Sequence, residues 1–518
     1  MASTLSHSRQ PNASLLAIPL ALSLIKFLIH AVLNFDGGYG LFRDELYYVA
    51  CAVKPAFGYV DHPPLSAIIL KVNMLLFGDS IFSIRLIPAL CAALTVWLIG
   101  LMAIRMGGGR WAVFFSCLFT FSLGNFVMSS FYSMNSIEIF SWTLAAYLVV
   151  LIVQTEQRRY WIMLGVVLGL GLMNKIGVLF LGVGIFAGLI FTSERKWLFT
   201  PWPYVSGAIA FILFLPYILW NIQHDWAHLE FIKNASEQKY SGLSIISFLA
   251  GQLELNNPVA ILIWLPGLVA LFFSPFFRRW RILGFLYLVP LLILIFNKTS
   301  KDVYLLPAYS VLWAAGGVWL ERLIQQHNWA KYFAGAVVVL WGVSTILFIP
   351  LVLPVLPVED YIAYSKKLGM EPSSAEGKEL SELPQFYADM FGWEEKANSV
   401  AEVYNTLSEE DKANASIYSN NYGRCAAIDY YGKKLGLPPS IGSHNNYWVW
   451  GTGERRAEPL IILGGKAEDH AKVFESVTLM TTSECRYCMP YENKVPVYLC
   501  RGMKEGLDSV WPRVKHYE

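Results

Sequence analysis

The stretch Phe42–Leu70, FRDELYYVACAVKPAFGYVDHPPLSAIIL, decides how this chain is read. It sets Asp44, Glu45, Asp61 and His62 among Tyr47, Tyr48 and Tyr59, just after the first apolar run, LLAIPLALSLIKFLIHAVLNF. Ionisable groups next to a membrane segment are costly and are functional candidates by default. The loop is therefore the first place to look for a site, and the rest of the chain says what kind.

The chain is 518 residues long, 55% hydrophobic and 15% charged, against roughly 25% charged in soluble domains. Mean hydropathy is +0.45. Apolar runs of spanning length recur up to Pro357, about eleven by the ~20-residue criterion. They centre on residues 13–33, 81–104, 111–130, 134–153, 160–173, 176–192, 203–220, 257–274, 281–297, 303–320 and 332–355. The first run has no small-residue cleavage site and reads as a retained helix. A net charge of +2 gives no footprint for nucleic acid, and that partner is excluded.

Basic residues mark alternate loops: Arg105 and Arg110, Arg158 and Arg159, Arg195 and Lys196, Arg278, Arg279 and Arg281, Arg322 and Lys331. By the positive-inside rule these loops and the N-terminus are cytoplasmic. Residues 1–357 then form a polytopic α-helical membrane domain whose first outer loop is 34–80, and 358–518 a small extracytoplasmic α/β-type domain. Strand-like PLIILGG and VPVYLC support that last assignment. Cys425, Cys485, Cys488 and Cys500 fall in the outer domain, which favours disulfides of unspecified pairing. The rival, zinc on CRYC (Cys485–Cys488), lacks a second close pair.

With this topology the remaining unusual polar residues also fall on the outer side. They are Asn135 and Glu138, Asn174 and Lys175, Gln223, His224 and Asp225, and Lys298, Lys301 and Tyr304. A carboxylate can deprotonate an acceptor hydroxyl or amine, and a lysine can stabilise a departing phosphate. Tyrosines such as Tyr59 suit sugar rings, and apolar helices suit a polyprenyl tail. Together these describe sugar transfer from a lipid-phosphate donor.

Each residue also has a plainer use. Asp44 and Glu45 suit a helix start, Lys175 can snorkel as an anchor, and Glu138 can pair with a neighbouring helix. His224 and Asp225 can be ordinary loop polars, and Lys298 and Lys301 interfacial anchors. The stretch Ser419–Gly451, rich in Asn, Tyr and Trp, can hold carbohydrate, though most of its aromatics are expected to fill a core.

The ordered set RDELYY…GYVDHPPL, LFGDSIFSIRLIPAL, SMNSIEIFSWTLAAY, GLGLMNKIGVLF, LPYILWNIQHDW and YLLPAYSVLWAAG resembles the GT-C superfamily of membrane glycosyltransferases. More narrowly it is similar to the family 39-like group of protein O-mannosyltransferases, lipid A aminoarabinose transferases and RgtA-B-C-D-like enzymes. The resemblance implies a GT-C fold in a bacterial inner membrane. It also implies inverting transfer of a hexose or pentose from a polyprenyl-phosphate donor to a glycolipid, polysaccharide or protein of the envelope.

By the same resemblance Asp44, Glu45 and Asp61 are the catalytic carboxylates, with Asp44 favoured as base. His62, Lys175, Lys301 and Tyr304 fall to the donor phosphate, and Tyr59, Asn135, Glu138 and His224 to the substrate. Asp61-His62-Pro63-Pro64 matches the family's acidic-basic-Pro-Pro motif, with His where Lys is common. That departure leaves open a divalent metal ion on Asp61 and His62, with Asp44 as a third ligand. Two readings from other classes stay in view, a secondary transporter and a catalytically inactive membrane scaffold of the same fold.

Overall fold

The computed structural model describes residues 13–36, 39–238, 244–297, 300–374 and 377–518. Its contacts divide the chain into two units. One takes in 1–36, 85–216 and 241–355, and the other 37–84, 217–240 and 356–518. The last boundary falls at 355/356, and residues 37–84 and 217–240 group with 356–518 rather than with the helices they connect.

The first unit is built of apolar helices. Among the described residues seven are long and apolar enough to cross a membrane, or up to ten if each bent pair is one span. The seven are Ser14–Phe35, Ile81–Arg105, Met134–Thr155, Trp202–Gln223, Pro275–Phe296, Asp302–Gln326 and Ala330–Val352. One expected span, 111–130, is broken within its bounds, and two others, 176–192 and 257–274, bend at one end. Arg110–Leu118 meets Leu123–Ser129 at 62°, Val178–Phe191 meets Ser193–Phe199 at 104°, and Ile245–Asn256 meets Pro258–Phe273 at 96°. The expected span at 160–173 is a 14-residue helix, Arg159–Leu172.

Helix interiors carry Pro88, Pro266, Pro290 and Pro350, which neighbouring helices make tolerable in lipid. Helices Ile261–Phe273 and Ser310–Gln326 approach through glycine: a Cβ on Gly267 would lie 2.7 Å from the Gly316 nitrogen. Small residues at such contacts let backbones pack where no water drives association. Phe119, Trp313 and Trp341 lie in the core, while Phe273, Phe296, Val343 and Ile346 are exposed. Only lipid would cover such an apolar belt at low cost. The chain is an integral, multi-pass membrane protein.

In the second unit a five-stranded sheet has the order β2-β1-β3-β5-β4. Its strands are β1 (Ser416–Ser419), β2 (Ile441–Gly442), β3 (Leu460–Leu463), β4 (Phe474–Ser483) and β5 (Val495–Met503). Parallel pairing joins β1 to β2 and β3, and antiparallel pairing joins β5 to β3 and β4. Central β3 is buried along its whole length, which is why its sequence is an unbroken LIIL. The two stretches expected to be strands, PLIILGG and VPVYLC, are β3 and β5.

Residues 37–84 contribute helix Arg43–Val53, packed on helix Tyr422–Tyr431, and helix Leu65–Phe77, which follows Pro63-Pro64. The latter exposes Val72, Leu75, Leu76 and Phe77, the face of a helix that lies in a lipid interface.

The disulfide expectation is corrected, because all four cysteines of residues 358–518 are free thiols. Cys500 is buried in the cluster around Leu460 and Phe474, whereas the Cys425 thiol donates to the Ser419 and Ile441 carbonyls. Cys485 and Cys488 are three residues apart in a bend.

Candidate active site

The two first-loop acids have different employment. Glu45 is wholly buried, and its carboxylate accepts the Phe42 N–H at 2.8 Å, capping its own helix. The Asp44 side chain is 39% exposed and accepts the Tyr422 hydroxyl at 2.7 Å. Beside it, Arg43 approaches Asp44 at 3.4 Å, Asp389 at 3.7 Å and the Tyr491 hydroxyl at 3.3 Å. Of the pair, Asp44 is the carboxylate presented to solvent.

The loop before Pro63-Pro64 is held from several sides. Asp61 accepts the Tyr47 hydroxyl at 3.0 Å. Burial raises the Asp61 carboxyl above the ordinary carboxylate range, against the lowering pull of His62 and of that hydrogen bond, while Asp44 adds to the rise. Tyr59 is buried, and its hydroxyl donates to the Cys51 carbonyl at 2.8 Å. It staples the loop, and its ring is offered to His62 rather than to solvent. His62 is 1% exposed, its ring 4.6 Å from Tyr48 and 4.8 Å from Tyr59. Its Nδ1 lies 2.8 Å from the Pro63 carbonyl, so Nδ1 carries a proton and donates it there.

Three residues outside the sequence-derived set complete this group. Asn446 accepts the Val60 N–H at 2.6 Å through its side chain and donates its own N–H to the Tyr47 oxygen at 3.3 Å. His228 donates from Nδ1 to the Val60 carbonyl at 2.9 Å. Burial pushes the His228 imidazole down to about 4, so it is neutral at physiological pH. Both polar groups of Val60, next to Asp61, are therefore pinned. Tyr422, which holds Asp44, and Asn446 both come from the Asn- and Tyr-rich stretch 419–451. Nothing in the sequence separates His228 from His224. His224 itself stacks on Trp220 at 4.1 Å and bonds the Trp220 carbonyl at 2.7 Å, apart from the Asp61 group.

Within the helical unit the expected residues converge as well. Asn135 and Glu138 lie one turn apart at the start of helix Met134–Thr155, whose cap Ser133 accepts the Asn135 N–H. Lys175 follows helix Arg159–Leu172 and reaches Glu138 at 2.7 Å and Asn135 at 2.9 Å. Its ammonium lies 4.9 Å from the Tyr304 ring centroid. A Cβ on Gly177 would sit 2.8 Å from the Glu138 carboxylate, so glycine is what lets this turn close. Lys301 opens the 3-10 turn Asp302–Tyr309 that carries Tyr304. Lys298 lies outside the described residues.

Asp61 and His62 together offer one carboxyl group and one imidazole. Among the described residues no group of three or more His, Cys, Asp and Glu is placed to hold a metal ion. The chemistry available without one is proton abstraction by a presented carboxylate and anion binding by a lysine.

Residues 61–220 match the family Dolichyl-phosphate-mannose-protein mannosyltransferase. The lipid A galacturonosyltransferase RgtD of Rhizobium johnstonii is 23% identical over 232 residues, 44% of this chain and 49% of that protein. The match thus spans about half the length of that curated relative. ArnT from Cupriavidus metallidurans, in crystals with undecaprenyl phosphate, superposes with a TM-score of 0.59 at 14% identity, covering 94% of this chain and 98% of that one. The same enzyme in its apo state gives a TM-score of 0.59 at 13% identity. The chain thus carries a segment similar to the mannosyltransferase family within a fold similar to that of ArnT along almost its whole length.

Proposed function

We propose that this protein moves a sugar from a polyprenyl-phosphate donor to a glycolipid, polysaccharide or protein of the bacterial envelope, on the outer face of the inner membrane. The observation that carries the reading is Asp44. It is a half-exposed carboxylate aimed by the Tyr422 hydroxyl at 2.7 Å, near enough to Asp61 for its charge to act there. Asp44 takes the proton of the acceptor hydroxyl or amine as that atom attacks the anomeric carbon. The displacement is single and inverts the anomeric centre. Lys175, buttressed by Glu138 and Asn135, binds the lipid phosphate as it leaves. Lys301 adds charge and Tyr304 fixes the ammonium from the ring side. The likeness to ArnT, an enzyme crystallised with undecaprenyl phosphate, supports a polyprenyl carrier.

The basic alternate loops support an N-terminus inside and the second unit outside. A divalent ion on Asp61 and His62 is an optional addition, and no step depends on it.

The test is sugar transfer in reconstituted vesicles, with labelled polyprenyl-phosphate sugars, envelope extract as acceptor source, wild type against Asp44→Asn, and EDTA in a parallel arm. Turnover that collapses in the variant supports Asp44 as base. Equal rates would move the base to Asp61, EDTA sensitivity would bring in the metal, and no turnover from any donor would favour the scaffold reading.

A further inference from the structure

The segment between β4 and β5 carries Cys-Arg-Tyr-Cys, which sugar transfer does not use. Its bend is closed by the Cys485 N–H donating to the Asn493 side chain at 3.0 Å. Inside it, the Cys488 N–H points at the Cys485 sulfur at 3.2 Å, and the Cys488 thiol donates to the Cys485 carbonyl at 3.2 Å. Each sulfur thus lies against the other residue's backbone. Cys485 is half-buried and Cys488 buried, with exposed Glu484 and Arg486 flanking the first.

The surroundings favour a thiolate at one sulfur only. The Cys485 sulfur and the Lys396 ammonium both lie about 3 Å from the space a side chain at Gly392 would fill, 3.0 and 3.1 Å respectively. Lys396 is fully buried, donates to the Gly392 and Glu492 carbonyls, and pairs with the Glu492 carboxylate at 3.4 Å. Gly392 caps helix Trp393–Asn405, so the sulfur also meets the positive end of a helix, where thiolates are stabilised.

The Cys485 thiol is drawn down to about 7, first by hydrogen bonding from Cys488, with burial opposing and Lys396 assisting. Cys488 is pushed up, first by its hydrogen bond with Cys485 and then by burial. Burial pushes Cys500 up to about 12 and Cys425 higher still. A thiol that ionises near ambient pH, beside a second thiol that does not, is the pairing that disulfide exchange needs.

We propose that Cys485 and Cys488 form a redox-active dithiol whose substrate is a disulfide, either of a low-molecular-weight thiol or exposed on another protein. The Cys485 thiolate attacks one sulfur of that disulfide, making a mixed disulfide and expelling one thiolate, which takes up a proton. The Cys488 thiol then gives its proton to the second leaving sulfur as it attacks Cys485. The net change is two cysteine thiols oxidised to one Cys485–Cys488 bond and one external disulfide reduced to two thiols. The bend runs directly into Tyr491 and Glu492. Arg43 donates to the Tyr491 hydroxyl at 3.3 Å and Arg424 to the Glu492 carboxylate at 2.9 Å.

The test reads thiols, not sugar transfer, and so stands or falls apart from the proposed activity. Full-length protein in lipid nanodiscs is equilibrated with glutathione and glutathione disulfide, acid-quenched, alkylated and mapped by mass spectrometry. The expected result is a Cys485–Cys488 disulfide forming in one two-electron step, with Cys425 and Cys500 alkylated only after denaturation. Cys488→Ser should trap glutathione on Cys485, and Cys485→Ser should leave Cys488 unmodified. An independent reading on native wild type is the pH dependence of alkylation at Cys485, expected to turn near 7. Unmodified Cys485 in native protein, equal adducts in both variants, or alkylation rising only in the ordinary thiol range would overturn the proposal.

Discussion

Tyr47 and Asp61 are joined by a 3.0 Å hydrogen bond, and the oxygen that donates it accepts the Asn446 N–H at 3.3 Å. One buried hydroxyl thus couples the Asp61 carboxyl group to a segment almost four hundred residues later. Replacing it changes both the charge state of Asp61 and the satisfaction of a buried donor.

Tyr47→Phe is expected to move the acid limb of kcat/KM to higher pH. Burial already holds Asp61 above its ordinary range, and the Tyr47 hydrogen bond opposes that rise, so its loss raises the carboxyl further. The stability sign is the same. An acid raised in the folded state favours folding at low pH, and that contribution is lost as pH rises from the unfolded value through the folded one. The variant should therefore lose stability more steeply on that rise. It should also lose about 1–3 kcal/mol at all pH values, because the Asn446 N–H is left without an acceptor. A pH–rate profile and unfolding in detergent measure the two effects, and an unmoved acid limb would show that Asp61 does not titrate in the rate.

Asp44→Asn and Glu45→Ala should separate chemistry from capping. Losing a general base lowers kcat by about 10²–10⁴-fold, and Asp44 is half-exposed, so its amide should leave the unfolding midpoint near wild type. Glu45→Ala removes an N-terminal cap, worth about 1 kcal/mol, and should lower the midpoint while the folded fraction keeps its kcat. The reverse pattern would exchange the two roles.

How far the sequence reaches differs between the two groups of candidate residues. The Lys175, Glu138, Asn135 and Tyr304 group was legible because an ion pair inside an apolar region has few alternatives. Ten of the eleven expected spans recur as long helices or bent pairs for the related reason that spanning length is a strong signal. The break within 111–130 was not legible, since composition stays apolar across that bend. Tyr422, Asn446 and His228 were missed as individuals because they act through single hydrogen bonds at long range, which leave no periodicity. The cysteines misled for a compositional reason: four in one domain suggest a framework, but Cys425 and Cys500 are simply small buried side chains.

Lys175 and Glu138 should show rescue of stability without rescue of activity. Lys175→Gln leaves the buried Glu138 carboxylate without its cation, which costs about 3–5 kcal/mol for a buried pair. It should also lower kcat by about 10²–10³-fold through loss of transition-state charge stabilisation. Adding Glu138→Gln removes the orphaned charge and should restore most of the stability while turnover stays low. Recovery of turnover in the double variant would show that Lys175 acts only as a structural partner of Glu138.

His228 gives the unit a pH-dependent brace. Its imidazole titrates near 4 in the folded protein because it is buried, against about 6.5 for an exposed histidine. The stabilisation it provides is fully present above the unfolded value and is lost as pH falls toward the folded one. Wild type should lose thermal stability across that window, and His228→Gln, which has no proton to take up, should lose less over the same range. Because the imidazole fixes the Val60 carbonyl beside Asp61, the variant should also lower kcat/KM at neutral pH, where stability alone predicts no change. Parallel unfolding curves for the two proteins from pH 4 to 7 would show that His228 is not the titrating brace.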